Sequence, residues 1–196
     1  MQIAKVPRAD EFIEIIRGRL GAHTVNHCIS ATELMLSIAD TVGVTESQCA
    51  QAGLLHDYSK NLDGEELLAT AMRYGLPVSG LHQRKPKLLH GSVAAEEVRR
   101  VLGITDEDVL DAIRCHTTGR PGMCKTALAL YFADFSEPLR THPEAAEARA
   151  ILAADGFGPA LKYVSGKKLN HVLTKTVVDP STLAFHNWLQ RQEYPS

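Results

Sequence analysis

Apolar residues along this chain recur at helical rather than strand spacing. Positions 27, 31, 34, 35, 38 and 42 (His, Ala, Leu, Met, Ile, Val) fall on one face, and Gly43 reads as the residue that stops the helix. Thr45-Glu46-Ser47-Gln48 has the form of a capping box and opens a helix running towards His56. Asp63 with Glu66 caps another, which ends near Gly75-Leu76-Pro77. Residues 78–90, rich in Gly, Pro, His and Lys and without a period, are predicted to be irregular. A helix over about 92–102 stops at Gly103, and Thr105-Asp106-Glu107-Asp108 caps the next, whose apolar face carries Val109, Ala112, Ile113 and then His116. The run 117–122 (Thr-Thr-Gly-Arg-Pro-Gly) breaks the pattern before a helix over about 125–135, closed by Glu137-Pro138. The rest reads as helices over about 143–154 and 157–178, and a last one opened by Asp179-Pro180 with proline in the first turn. No run alternates as a strand does. The pattern predicts an all-α fold.

Bulk properties narrow the class. The 196 residues suit one compact domain that buries a core without disulfides or metal staples. A formal net charge of −2 leaves no electrostatic footprint for nucleic acid or an anionic membrane, although a local pocket for a small anion needs only a few cations. No stretch approaches the roughly 20 apolar residues of a membrane span, and Met1 to Pro7 lacks the apolar run of a signal peptide. Cys28, Cys49, Cys115 and Cys124 form no CxxC pair and are read as small buried apolar residues in a reducing compartment. These features predict a cytoplasmic protein.

Candidate chemistry enters with the histidines. His27 and His116 continue the apolar faces of their helices, and Asp134 shares a face with Ala127, Leu130 and Tyr131. An ionised carboxylate on a core-facing stripe is costly unless paired or metal-bound. Each of these alone has an ordinary reading, a hydrogen-bonded core histidine or a salt-bridged aspartate. The adjacent pair His56-Asp57 shifts the balance: neighbours on a helix project about 100° apart, so an imidazole and a carboxylate can flank one ion at the helix end, and the carboxylate can bridge two. Alone it is a weak signal. It gains weight from the order His27, His56-Asp57, His90, His116, Asp134, each at a helix end or on a core face.

The order His…His-Asp…Asp resembles the signature of the HD phosphohydrolase superfamily. The resemblance is closer to the YqeK-type symmetrical bis(5′-nucleosyl)-tetraphosphatases, over roughly residues 15 to 190. It rests on Leu54-Leu55-His56-Asp57-Tyr58-Ser59-Lys60, Leu88-Leu89-His90-Gly91, the stretch from Ala112 through His116-Thr117-Thr118-Gly119-Arg120-Pro121-Gly122-Met123, and Ala133-Asp134-Phe135-Ser136-Glu137-Pro138-Leu139-Arg140. It implies a helical bundle around a dinuclear centre, with a metal-binding core at about 20–140 followed by C-terminal helices at about 141–196. His27, His56, Asp57 and Asp134 match the ligands of a first ion, and Asp57 would bridge to a second held by His90 and His116. The family is associated with iron, so two divalent or trivalent ions are implied as cofactors. Asp57 and Lys60 match catalytic positions, and Lys60, Thr117, Gly119, Arg120 and Arg140 match positions that face substrate. One departure stands out: Thr24 precedes Val25-Asn26-His27 where the family has Arg-x-x-His, and His23 lies one turn upstream. The spacing to His56 favours His27.

The implied reaction is symmetrical hydrolysis of diadenosine tetraphosphate to two ADP, with hydroxide formed at the metal centre attacking an inner phosphorus. The implied partner is a small nucleotide, with no nucleic acid or membrane, and a homodimer is left open. Another nucleotide phosphohydrolase of the superfamily, a di-iron oxygenase, or a signalling module without catalysis are the alternatives, the last disfavoured because all six ligand positions are filled. Several residues keep ordinary readings beside the functional ones: Lys60 as a solvated helix-end lysine, Arg120 as an exposed turn residue, Arg140 in a surface ion pair. His82, His142, His171 and His186 are read as surface or capping residues, and Trp188 with Leu183, Phe185 and Leu189 as core. The run Arg84-Lys85-Pro86-Lys87 is a solvated loop or a guide for an anionic substrate towards His90.

Overall fold

The computed structural model describes residues 2–192. Its helices are α1 (Ala9–Arg17), α2 (Ala22–Val42), α3 (Glu46–Leu55), α4 (Gly64–Arg73), α5 (Gly80–Arg84), α6 (His90–Leu102), α7 (Glu107–Cys115), α8 (Lys125–Ser136), α9 (Pro143–Asp155), α10 (Phe157–Leu173) and α11 (Pro180–Gln190), and no strand occurs among the described residues. The centre is α8. Its Thr126, Ala127, Leu128, Ala129, Leu130, Tyr131, Phe132, Ala133 and Asp134 are all buried, and α2, α7, α3, α9 and α10 pack around it. One hydrophobic cluster runs from Ile3 to Leu189, so the C-terminal helices share the core of the first 140 residues. Fully buried aromatic side chains such as Tyr131, Phe132 and Phe185 each contribute roughly 1.5–3 kcal/mol through burial.

Local chemistry sets most helix ends. Thr45 and Gln48 form the expected reciprocal capping box on α3, as do Asp63 and Glu66 on α4. Asp106 caps α7 and Asp179 caps α11 with Pro180 in its first turn. Five details differ from the sequence pattern. α1 went unread, although Ala9, Phe12, Ile13 and Ile16 have helical spacing and are buried. The segment 78–90 holds α5 and a 3-10 turn, Pro86–Leu89, because Ser79 and His82 make a capping box of their own. α6 begins at His90, and α10 ends at Leu173, earlier than residue 178. Leu183 is exposed, whereas Phe185 and Leu189 are buried and Trp188 packs on the core as expected.

Close helix contact brings the site together. Gly53 on α3 faces Thr32 on α2 so closely that a Cβ at that position would lie 2.9 Å from the Thr32 Cα. A larger residue would separate the two helices that carry His56 and His27.

Candidate metal centre

Five elements deliver the candidate ligands. His27 projects from α2, His56 and Asp57 from the end of α3, His90 from the first position of α6, and His116 from the end of α7, while Asp134 comes from α8. All six are buried. His23, the upstream alternative, is exposed. On one side, His27 Nε2 lies 3.2 Å from His56 Nε2 and 3.2 Å from Asp134 Oδ1, and His56 Nε2 lies 3.4 Å from Asp57 Oδ2. On the other, His90 Nε2 is 2.9 Å from His116 Nε2 and 3.4 Å from Asp57 Oδ1, with His116 Nε2 3.7 Å from the same oxygen. Ligand atoms held about 2.0–2.2 Å from one ion stand roughly 3–3.5 Å apart, so both triads have the dimensions of an ion's coordination shell. Asp57 gives one oxygen to each.

Hydrogen bonds behind the rings show what the front atoms are for. Nδ1 of His56 donates to Gly53 O (2.9 Å), that of His90 to Lys87 O (2.7 Å), and that of His116 to Ile113 O (2.8 Å). His27 Nδ1 donates to the buried carboxylate of Glu137 (3.1 Å). In a neutral imidazole this leaves Nε2 with a lone pair. Lone pairs facing each other at 2.9 and 3.2 Å repel, and a cation between them turns the repulsion into coordination. Asp57 Oδ1, buried and without a hydrogen-bond partner, is the matching anionic orphan. The residues present therefore fit metal ions.

Electrostatics agree. Burial, with His90 and His56 beside it, holds the His116 pKa well below the usual histidine value, so its ring stays neutral and able to ligate. Burial works to raise the Asp57 and Asp134 carboxyls. The surrounding histidines around Asp57, and Lys168 with His27 around Asp134, outweigh it and keep both ionised. His27 differs: burial lowers its pKa, but Asp134 and Glu137 raise it overall, so a proton competes with a cation there. Cys28 also lies within reach of His56 and Asp57, yet burial pushes its thiol well up, which keeps it protonated and a poor ligand.

Cations and cavities surround the centre. Lys60 Nζ donates to Asp57 Oδ2 (2.6 Å), and Arg140 Nη2 donates to Asp134 Oδ1 (2.9 Å), so both reach the ligands. Thr117 Oγ1 lies 3.1 Å from His116 Nε2 and 3.5 Å from His90 Nε2. Arg120 goes elsewhere: it forms a two-point pair with Asp111 (2.8 and 3.2 Å) and lines neither cavity beside the centre. Gly119, at φ +68°, serves packing, since a Cβ there would come within 2.6 Å of the Phe185 ring. One cavity of about 770 Å³ is lined by Asp134, Arg140 and Lys168 among others. A second, of about 500 Å³, is lined by Lys60, Lys87 and His90.

The sequence and the fold have known counterparts. The model of the HD domain matches residues 24–159. A symmetrical bis(5′-nucleosyl)-tetraphosphatase from Bacillus subtilis (strain 168) is 31% identical over 92% of this chain and 96% of its own. The chain belongs to the HD domain family. A second symmetrical bis(5′-nucleosyl)-tetraphosphatase, from Halalkalibacterium halodurans, is 31% identical over 90% of this chain and 94% of its own. The fold of an HD superfamily hydrolase described as involved in NAD metabolism, from Clostridium acetobutylicum, superposes with a TM-score of 0.86 at 29% identity, covering 92% of this chain and 96% of that one.

Two residues of this HD domain were not anticipated. Lys168 on α10 donates to His116 O (3.0 Å), lies 3.4 Å from Asp134 Oδ2 and stands over the Tyr131 ring at 3.9 Å. Its place on the buried stripe with Leu161 and Val164 was a legible signal. Glu137 was read only as a helix end, yet it holds His27. Of the remaining histidines, His82 caps α5, His186 meets Ser165 Oγ (3.0 Å), and His142 packs against Phe135. His171, read as a surface residue, is exposed but lines both cavities. No helix among the described residues is long and apolar enough to cross a membrane.

Proposed function

We propose that this chain is a metal-dependent hydrolase that cleaves diadenosine tetraphosphate symmetrically, releasing two ADP. The observation that carries the reading is a pair of buried triads, His27-His56-Asp134 and Asp57-His90-His116, with Asp57 Oδ2 beside the first and Oδ1 in the second, flanked by cations that line cavities. Two curated relatives that align over nearly their full length bear the name of that activity. His27, His56, Asp57 and Asp134 would hold one ion, and Asp57, His90 and His116 a second. The mixed imidazole and carboxylate set suits iron, which we assign as the resident metal. Such ions supply Lewis acidity and a water of lowered pKa.

The chain's own groups do the rest. Lys60 is 44% exposed at its side chain and stands at the cavity wall, so its ammonium can turn from the buried Asp57 to a phosphate oxygen once bound ions balance that carboxylate. Arg140 presents its guanidinium at the first triad, where it neutralises negative charge that grows on the equatorial oxygens. The Thr117 hydroxyl, within hydrogen-bonding distance of the second triad, orients an oxygen there. Lys168, bonded to Asp134 and the His116 carbonyl, positions those two groups from the wall of the larger cavity. A nucleoside diphosphate leaves readily, so no strong general acid is required.

The test is purified protein loaded with Fe²⁺ or Mn²⁺ and given diadenosine tri-, tetra- and pentaphosphate, with products separated by ion-exchange chromatography. ADP as the sole product of the tetraphosphate is expected. ATP with AMP would refute the symmetrical cut.

A further inference from the structure

The two cavities are joined by four shared residues, Thr117, His171, Val172 and Thr182. Thr117 stands at the metal centre, within 3.5 Å of both His90 and His116 Nε2. The junction of the cavities therefore coincides with the candidate metal centre. The two sides of that centre open separately: Asp134 lines the larger cavity and His90 the smaller. Each has its own cations, Arg140, Lys167 and Lys168 in the first, Lys60, Lys85 and Lys87 in the second. His171 and Val172, in the last turn of α10, and Thr182 in α11 form the common wall.

Volumes of about 770 and 500 Å³ each fall in the roughly 300–1,000 Å³ range that encloses a small organic ligand. Both linings mix cations with apolar side chains, Phe135 in the larger cavity and Leu88 and Val177 in the smaller, and each also holds a carboxylate away from the candidate ligands, Glu144 and Asp179. Cations and apolar surface on both sides of the centre suit a ligand with a phosphate chain and a base at each end.

We infer that the substrate is held as two nucleoside diphosphate halves, one in each cavity, with its central bridging oxygen at the junction. The α10–α11 connection then forms the wall of the second nucleoside site, and Val177 is a specificity-determining residue. This rests on the dinucleotide reading but adds something that reading does not require, two separate and similar product sites on one chain. Symmetrical cleavage becomes a property of the walls: equal halves result when the bond broken joins an inner phosphorus to the central bridging oxygen.

Two substitutions separate the sites. Val177→Trp fills the smaller cavity from a connecting segment, and Asn170→Trp fills the larger from an exposed helical position. Equilibrium dialysis of the metal-loaded protein against ADP should give two bound per chain in the unmodified protein, one in each single variant and none in the double. Far-UV circular dichroism checks that each variant keeps its helix content. For Val177→Trp the ratio of kcat/KM on diadenosine tetraphosphate to that on adenosine tetraphosphate should fall at least roughly tenfold, the size of a 1.4 kcal/mol clash. A stoichiometry of one in the unmodified protein, or of two in either folded variant, overturns the inference. If the protein binds two ADP and hydrolyses no dinucleotide, the proposed function fails while the paired sites stand.

Discussion

Gly53→Ala is a substitution for which local preference and packing pull in opposite directions. In a helix interior alanine is favoured over glycine by roughly 0.8–1.0 kcal/mol, so propensity alone predicts a more stable protein. The new Cβ, however, would lie 2.9 Å from Thr32 Cα and 3.1 Å from Thr32 Cβ, distances that require backbone movement between α3 and α2. Overpacking of a fitted core costs about 1–3 kcal/mol, and contact with a backbone atom places this site at the upper end of that range. The expected net loss is about 1–2 kcal/mol, or roughly 2–8 °C in Tm for a domain of this size. A functional effect should accompany it. The Gly53 carbonyl accepts from His56 Nδ1, and Thr32 donates to the Cys28 carbonyl beside His27, so spreading the helices moves the two ligands apart. Metal affinity should fall about tenfold or more, as for other residues that orient a ligand. Thermal unfolding with and without saturating Mn²⁺, together with a metal titration, measures both effects. Adding Thr32→Ala removes the hydroxyl and methyl from the contact, and the double variant should recover more than about 0.5 kcal/mol relative to additivity. A Tm for Gly53→Ala equal to or above that of the parent would refute the argument.

Other outcomes follow from the same geometry. Asp57→Ala removes the carboxylate whose two oxygens face the two triads, so metal content by mass spectrometry should drop at both positions and turnover should vanish; surviving turnover would place the chemistry elsewhere. Lys168→Met leaves Asp134 with Arg140 as its remaining cation, so unfolding in urea should show a loss below the roughly 3–5 kcal/mol of a fully broken buried pair, with weaker metal retention. Burial pushes the thiols of Cys49 and Cys115 up to about 12 and that of Cys124 to about 11, above any assay pH, so thiolate is scarce throughout. At pH 8 a disulfide reagent should titrate the native protein slowly, Cys124 first because it is only half-buried, and all four thiols at once in denaturant; rapid native reaction of several would contradict the burial.

Most of the helices and the cluster of six candidate ligands were legible from signals that span only a few residues. His27, His116 and Asp134 sit on apolar faces where a polar residue needs a reason, and the capping boxes at Thr45 and Asp63 form as written. What escaped depended on distance or on ambiguity. Glu137 closes a helix in the sequence and reaches His27 only through the fold. Lys168 sits on an inward stripe, but a long side chain there ordinarily carries its charge outwards, and nothing local says that Asp134 awaits it. Arg120 is the opposite case. It lies in the run most characteristic of the family, yet Asp111, nine residues back, takes its guanidinium. The 78–90 segment was misread because a histidine, His82, stands in for the usual acidic partner of a capping box.

The hydrogen bonds behind the imidazoles have a bearing on how the site assembles. His56, His90 and His116 each donate to the carbonyl three residues earlier, a contact completed within a single turn of backbone. Their tautomers are set as soon as those turns form. His27 is the exception, since its partner is 110 residues away and arrives only when the end of α8 docks beside α2. During folding, three of the imidazoles are thus aimed by short-range structure and the fourth by a long-range closure. An ion held between His27 and His56 would then serve as a proofreader of that closure, because a chain misdocked at α8 leaves the His27 ring without the Glu137 contact that orients it.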